Sequence, residues 1–347
     1  MKNLTRQEFL KTTLYGSAGL LFHKKGIGMD DMDGNNLQEN KKIIQTVTGA
    51  ISSKEMGLTL PHEHVMCDFI GVDKVSKDRY NPDEIVATML PYLEEIKKLG
   101  VRTFVDCTPA YIGRDVQILE RLSRKTGIAI VTNTGFYKEP YLPKFTGEIS
   151  EDKLAELWVK EITNGIDNTG IKAGFIKIAV NPGPLIPIQK KIVIAACRTS
   201  KTTGTTIASH TGKGIAAIEQ LDILDREKVN PAKFIFVHAD GESDMTYHYE
   251  VAKRGAWVEF DGISENSKEK HLQLIRSMMD KGFEDHILLS QDAGWYNVGQ
   301  EKGGKIRGYA FLIKEFIPFL EMKEFDKKLI EKVLIINPGR AFEVSTI

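Results

Sequence analysis

From residue 43 onward, short runs of β-branched and aromatic residues take turns with longer stretches whose apolar positions recur at helical spacing. The strand-like runs are residues 58–64, 101–107, 128–133, 175–180, 205–210, 234–238, 257–260 and 287–290. Helical stretches separate them. Pro82-Asp83-Glu84 opens the first, with Leu90, Leu93 and Leu99 among its apolar positions. The next are 115–125, 152–164, 187–202, 215–226, 244–253, 268–281 and 309–319, with a further one near 327–333. Eight strands alternating with eight helices predict a parallel α/β sheet closed into a (β/α)8 TIM barrel. An open, doubly wound sheet is the competing arrangement, but no Gly-x-Gly-x-x-Gly follows the first strand.

The first 40 residues break this pattern. Lys2, Arg6 and Lys11 precede an apolar run over 14–22, about the length of a signal-peptide core. Residues 5–11 resemble a twin-arginine export signal, with Gln7 where the second arginine belongs. Residues 30–40 are polar and rich in Gly and Asn, as in a flexible linker. The expectation is a signal-like segment and linker over 1–40, a single domain over 41–347 and export to the periplasm, with a cytoplasmic location as the alternative.

Composition narrows the classes. Hydrophobic residues at 41% and charged residues at 27% describe an ordinary globular chain. Lys plus Arg and Asp plus Glu are both 47, so the basic excess of a nucleic-acid binder is missing. Three scattered cysteines are too few for a disulfide scaffold or a cysteine-based zinc site. No apolar stretch is long enough for a membrane-spanning helix.

In a barrel of this kind, chemistry sits where the strands end. Four of the eight histidines fall there: His62 and His64 on the first strand, His210 on the fifth and His238 on the sixth. The two-residue spacing of His62 and His64 puts both imidazoles on one face, where they can grip one divalent metal or simply stand half-exposed at a turn. Lys177 interrupts the otherwise apolar fourth strand. An unpaired ammonium buried there is costly, whereas a neutral amine can take up carbon dioxide as an anionic carbamate. Snorkelling to solvent or pairing with a carboxylate is the alternative. Asp292 ends the eighth strand, as a metal ligand and base or as a helix cap. Six such residues on five of the strands favour the metal reading.

The segments carrying these residues are Gly57-Leu58-Thr59-Leu60-Pro61-His62-Glu63-His64, residues 174–179, Ser209-His210-Thr211, Val237-His238 and Ser290-Gln291-Asp292. Together with Thr46-Val47-Thr48-Gly49 and Asn337-Pro338-Gly339-Arg340-Ala341-Phe342, they resemble the phosphotriesterase family of the amidohydrolase superfamily. The resemblance implies two divalent metals per chain. His62, His64 and Asp292 would hold the more buried one, His210 and His238 the more exposed one, and Lys177 as N6-carboxylysine would bridge them. Zinc is usual in such enzymes, with manganese, cobalt or iron as alternatives. The implied reaction is hydrolysis by a hydroxide held between the metals, with Asp292 as base. Homodimers are usual among similar proteins.

The substrate is expected to be a small molecule, and an anionic one fits the loop discussed below. Tyr137 follows the third strand where lactonases of the family place a catalytic-site tyrosine, so it is a candidate for catalysis and substrate binding. Asp261 matches a position common in the family, but Gly262 stands where relatives carry His or Arg, and Ala239-Asp240-Gly241 displaces the acidic residue usual after His238. Both departures weaken dedicated triester hydrolysis. The loop at 293–308 has five glycines, Trp295 near its start, and the cations Lys302, Lys305 and Arg307. It is expected to be either a lid that holds a substrate anion or a solvated loop. These features lead to a lactonase or small-ester hydrolase with promiscuous triester cleavage. An N-acyl amino acid hydrolase is the alternative, and a non-catalytic exported binding protein the second.

Overall fold

A computed structural model describes residues 41–345, and the expected signal-like segment lies outside them. An antiparallel hairpin of β1 (Lys42–Thr46) and β2 (Gly49–Ser52) comes first. The barrel strands follow: β3 (Thr59–Cys67), β4 (Thr103–Asp106), β5 (Ala129–Val131) continued by β6 (Asn133–Thr134), β7 (Phe175–Ala179), β8 (Ile207–His210), β9 (Phe234–Val237), β10 (Trp257–Phe260) and β11 (Ile287–Leu289). Neighbours pair in parallel from β3 to β5 and from β6 to β11. Closure comes where the last strand meets the first: Asp292 N donates to His62 O at 3.2 Å and His64 N to Ala293 O at 2.9 Å. This is the (β/α)8 barrel expected from the alternation.

The helices end where local chemistry dictates. Asn81 caps Pro82–Lys98 and Asp115 caps Val116–Thr126, each side chain accepting from first-turn amides. Gly127 and Gly204, both left-handed, close the helices before β5 and β8. The helices bury one apolar face against the outside of the barrel, in a cluster that includes Leu93, Leu122, Trp158, Val193, Leu221 and Ile275.

A second cluster fills the barrel axis. It contains Val105, Cys107, Val131, Phe175, Ala208, Ile235, Val237, Trp257 and Leu288, floored by Ile44, Met56, Ala341 and Phe342. The short β13 (Val344–Ser345) pairs with β1, so the two ends of the described residues share this floor. The hairpin and this terminal pairing had no clear signal in the sequence.

Strand alternation then sets what lies above the apolar layer. Two residues beyond Phe175 comes Lys177; beyond Ala208, His210; beyond Trp257, Glu259 and then Asp261; beyond Leu288, Ser290 and then Asp292. Two backbone irregularities supply the rest. The register of β3 on β4 shifts between Leu60 and Glu63, so Leu60 joins the outer core while His62 and His64 turn inward. His238 adopts φ 58°, which ends β9 in a left-handed residue.

The loop after β11 is not a free lid at its start. Gly294–Asn297 forms β12, parallel to β3 with Gly294 opposite His64. On the facing side, Gly135 has φ 106°, and a Cβ there would lie 2.2 Å from Lys177 O. Only glycine permits this approach, which seats the Tyr137 segment against β7. Gly135→Ala is therefore expected to lower stability by ~1–3 kcal/mol, read from the urea midpoint. An unchanged midpoint would contradict the close packing.

Candidate active site

The barrel mouth gathers four imidazoles. Ring centroids are 5.4 Å apart for His62 and His64, 5.1 Å for His62 and His238, and 4.4 Å for His210 and His238. His62 and His64 are buried; His210 and His238 are partly open.

Three of these rings share one arrangement. His62 Nδ1 donates toward Glu259 Oε2 at 3.0 Å and Asp261 Oδ2 at 3.2 Å. His238 Nδ1 donates to Asp261 Oδ1 at 2.6 Å, and its backbone N to Asp261 Oδ2 at 2.9 Å. His64 Nδ1 meets Thr108 Oγ1 at 2.7 Å, and the hydroxyl spends its own hydrogen on Met66 O at 3.1 Å. Thr108 must then accept from His64. In the neutral form of each ring Nδ1 keeps the proton and Nε2 carries the lone pair, the tautomer a metal needs.

Asp292 completes the buried group. Its Oδ1 lies 3.1 Å from His64 Nε2 and 3.8 Å from His62 Nε2, and it is a buried atom without a hydrogen-bond donor. Burial favours the protonated carboxyl, but the surrounding histidines, among them His62, which is itself raised above the ordinary imidazole range, hold Asp292 below the usual carboxylate range. Burial lowers His64 to about 4, so it is neutral near pH 7. A neutral imidazole lone pair therefore faces a bare carboxylate oxygen, an arrangement that a shared cation relieves. One ligand atom from each of His62, His64 and Asp292 fits within 4.8 Å of the others. The donor chemistry suits a divalent metal. His62, His238 and Asp261 meet the same spacing, but Asp261 is already the acceptor for both ring N–H groups.

Lys177 lies 2% exposed in the middle of β7, and no carboxylate pairs with it among the described residues. Its charge acts on His62, His64 and His210. His210 is pushed well below the usual imidazole range, first by burial and then by His238, Lys177 and Lys138. Tyr137 Oη lies 3.1 Å from His210 Nδ1. Burial, then the nearby Asp292 charge, raises the phenol's pKa and keeps it protonated.

The expected substrate residues divide. Trp295 reaches the site, its ring stacked on His64 with centroids 3.7 Å apart and its Nε1 donating to Asp292 O at 2.9 Å. Asp261 does not line a pocket. It is 1% exposed and committed to His62 and His238, so it orients those two rings. Arg307 is exposed, and its guanidinium puts two N–H groups on Gln291 O and Ile263 O, both at 2.6 Å, which braces the loop. Lys302 and Lys305 are exposed and make no ion pair among the described residues.

The departure at Gly262 has a physical reason. A Cβ there would lie 2.5 Å from Asp240 Oδ2, while Asp240 Oδ1 accepts from the amides of Asp261 and Gly262 at 3.2 and 3.3 Å. Asp240 thus fills the space of a side chain at 262 and braces Asp261 from behind.

Four supporting residues escaped the sequence reading. Glu259 faces inward from an apolar strand as Lys177 does, and that shared pattern was a usable signal. Glu63, lying between two site histidines, accepts from Ser290 Oγ and Ala293 N and so staples the last strand to the first; burial pushes it up to about 8. Thr108 and Lys138 had no signal beyond proximity to strand ends.

The model of the phosphotriesterase family matches residues 42–342. The chain is 31% identical over 291 residues to the phosphotriesterase homology protein of Escherichia coli (strain K12), covering 83% of this chain and 98% of that protein. It is 29% identical over 308 residues to the aryldialkylphosphatase of Saccharolobus solfataricus, covering 84% and 97%. A solved structure of a mutant PTE-like lactonase from Deinococcus radiodurans superposes with a TM-score of 0.79 at 28% identity, over 86% of this chain and 99% of that one.

Asp261→Asn removes the charge and one of the two oxygens that accept from His62 and His238, while keeping the size. Metal retention after dialysis, measured by elemental analysis, is expected to weaken roughly 10–100-fold with the fold intact by circular dichroism. Retention equal to the parent would remove Asp261 from this role.

Proposed function

This chain belongs to the phosphotriesterase family, and we propose that it is a metal-dependent hydrolase of a lactone or small carboxylic ester, with phosphotriester cleavage as a side activity. The observation that carries the reading is the bare Asp292 Oδ1 facing the unprotonated Nε2 of His64 at 3.1 Å. His62, His64 and Asp292 would hold the buried metal, and His210 and His238 the outer one. Lys177, unpaired and between them in charge, would serve both as a carbamate made with carbon dioxide. Zinc is the metal we propose. Bound divalent cations supply Lewis acidity and make water a nucleophile near neutral pH.

The chain's own groups do the rest. Asp292, kept ionised, accepts the proton of the attacking water and hands it to the leaving oxygen. Tyr137, kept protonated, offers its hydroxyl to a substrate oxygen beside His210. Trp295, Phe69 and Tyr141 form an aromatic wall, with centroids 5.9 Å apart for Phe69 and Trp295 and 5.2 Å for Phe69 and Tyr141. That wall suits the apolar part of an acyl substrate. The lactonase structure that the chain resembles supports carbonyl over phosphoryl chemistry, and the Asp240–Gly262 exchange supports it too.

The test is a panel of lactones, aryl esters, N-acyl amino acids and a triester. Lactone or ester turnover above the others is expected. Dominant N-acyl cleavage would replace the ester reading with amide hydrolysis, and two bound metals without any turnover would favour a binding protein. Asp292→Asn is expected to lower kcat by about 10²–10⁴-fold on the best substrate; near-parental kcat would remove its role as base.

A further inference from the structure

Resting on the hydrolase reading, we propose that Lys138 is the specificity-determining cation of this site and that the substrate carries an anionic oxygen group, a carboxylate, sulfonate or phosphate, which Lys138 binds. Lys138 lies one residue beyond Tyr137, on the segment seated against β7 by Gly135. Its Nζ donates to Val180 O at 3.2 Å and to His210 Nε2 at 3.2 Å. It makes no ion pair among the described residues: the nearby opposite charge is the exposed Glu139 on its own loop, and the other charge acting on it is the like charge of Lys177.

An ammonium has three donors and no acceptor. Here one goes to a backbone carbonyl and one to an imidazole nitrogen that a metal would claim. The group is half-buried, held between the ends of β6 and β7 and beside the Tyr137 hydroxyl. A partly desolvated cation with donors to spare favours an anion far more than a solvated one does.

The other positive groups of the mouth do not compete for this role. Arg307 puts two of its five N–H groups on carbonyls and, like Lys302 and Lys305, stands exposed, where a charge contact contributes little. Across the mouth the aromatic wall of Phe69, Tyr141 and Trp295 offers an apolar face. The combination selects a compact molecule with a hydrolysable carbonyl, an apolar flank and one charged end.

Two measurements test this with Lys138→Gln and the conservative Lys138→Arg. In the first, kcat/KM is compared for 4-nitrophenyl acetate and 4-nitrophenyl hydrogen succinate, which adds a carboxylate to the same leaving group. The succinate-to-acetate ratio is expected to fall roughly tenfold in Lys138→Gln, chiefly through KM, and to recover in Lys138→Arg. In the second, calorimetry compares glutarate with butyrate, so that the metals see one carboxylate in each case and only glutarate has a second. The glutarate advantage of the parent is expected to vanish in Lys138→Gln at unchanged metal content. A ratio and an advantage that persist in Lys138→Gln overturn the proposal even if esters are cleaved. If no ester is cleaved, the hydrolase reading fails, and the glutarate comparison still decides the role of Lys138.

Discussion

Asp261 is the carboxylate on which the geometry of this site depends. It is buried in the barrel mouth, where an unpaired anion would be costly, and it is stabilised by accepting N–H groups from His62, from the His238 ring and from the His238 backbone. Burial pushes its pKa up, but the charges and hydrogen bonds of the two histidines outweigh it, leaving Asp261 well below the ordinary carboxylate range. The same contacts hold Nδ1–H of both rings and aim both Nε2 atoms into the mouth. Asp240 braces it through the amide of Asp261, at the cost of any side chain at 262. One buried charge thus links the ends of β3, β9 and β10.

Around that anchor the barrel works as a layered object. The lower layer is apolar, and two residues further along several of the same strands the side chains become Lys177, His210, Glu259 and Asp292. Polar groups at that depth are tolerated because nearly all have assigned partners. The exceptions in that layer include Asp292 Oδ1, Glu259 Oε1 and the unpaired Lys177, and a cation beside Asp292 Oδ1 would complete the set. His238 and Asp292 also hold left-handed backbone, at φ 58° and 48°, which is strain kept by the surrounding packing at functional positions.

The barrel and the inward set of histidines were legible because both follow from periodicity. Alternating strands and helices declare the fold, and a polar residue in an apolar strand declares that something unusual faces the axis. What was not legible depends on contacts between distant segments. Asp261 reads as a pocket residue until β9 and β10 are laid side by side, and Arg307 reads as a free cation until the carbonyls at 263 and 291 are placed beneath it. The loop at 293–308 reads as a lid because glycine count carries no register; pairing with β3 makes its first part a wall. Lys138 had no periodic signature at all, since it lies in a turn whose course is set by the close approach of Gly135 to Lys177 O.

The proposed site for two divalent cations is built from pre-oriented imidazoles, Asp292 and the unpaired Lys177. Elemental analysis of the purified chain, prepared with zinc and bicarbonate present, tests it most directly. The account predicts about two metals per chain, with the second lost when bicarbonate is withheld during reconstitution. A chain that stays folded and takes up no metal under these conditions would contradict it.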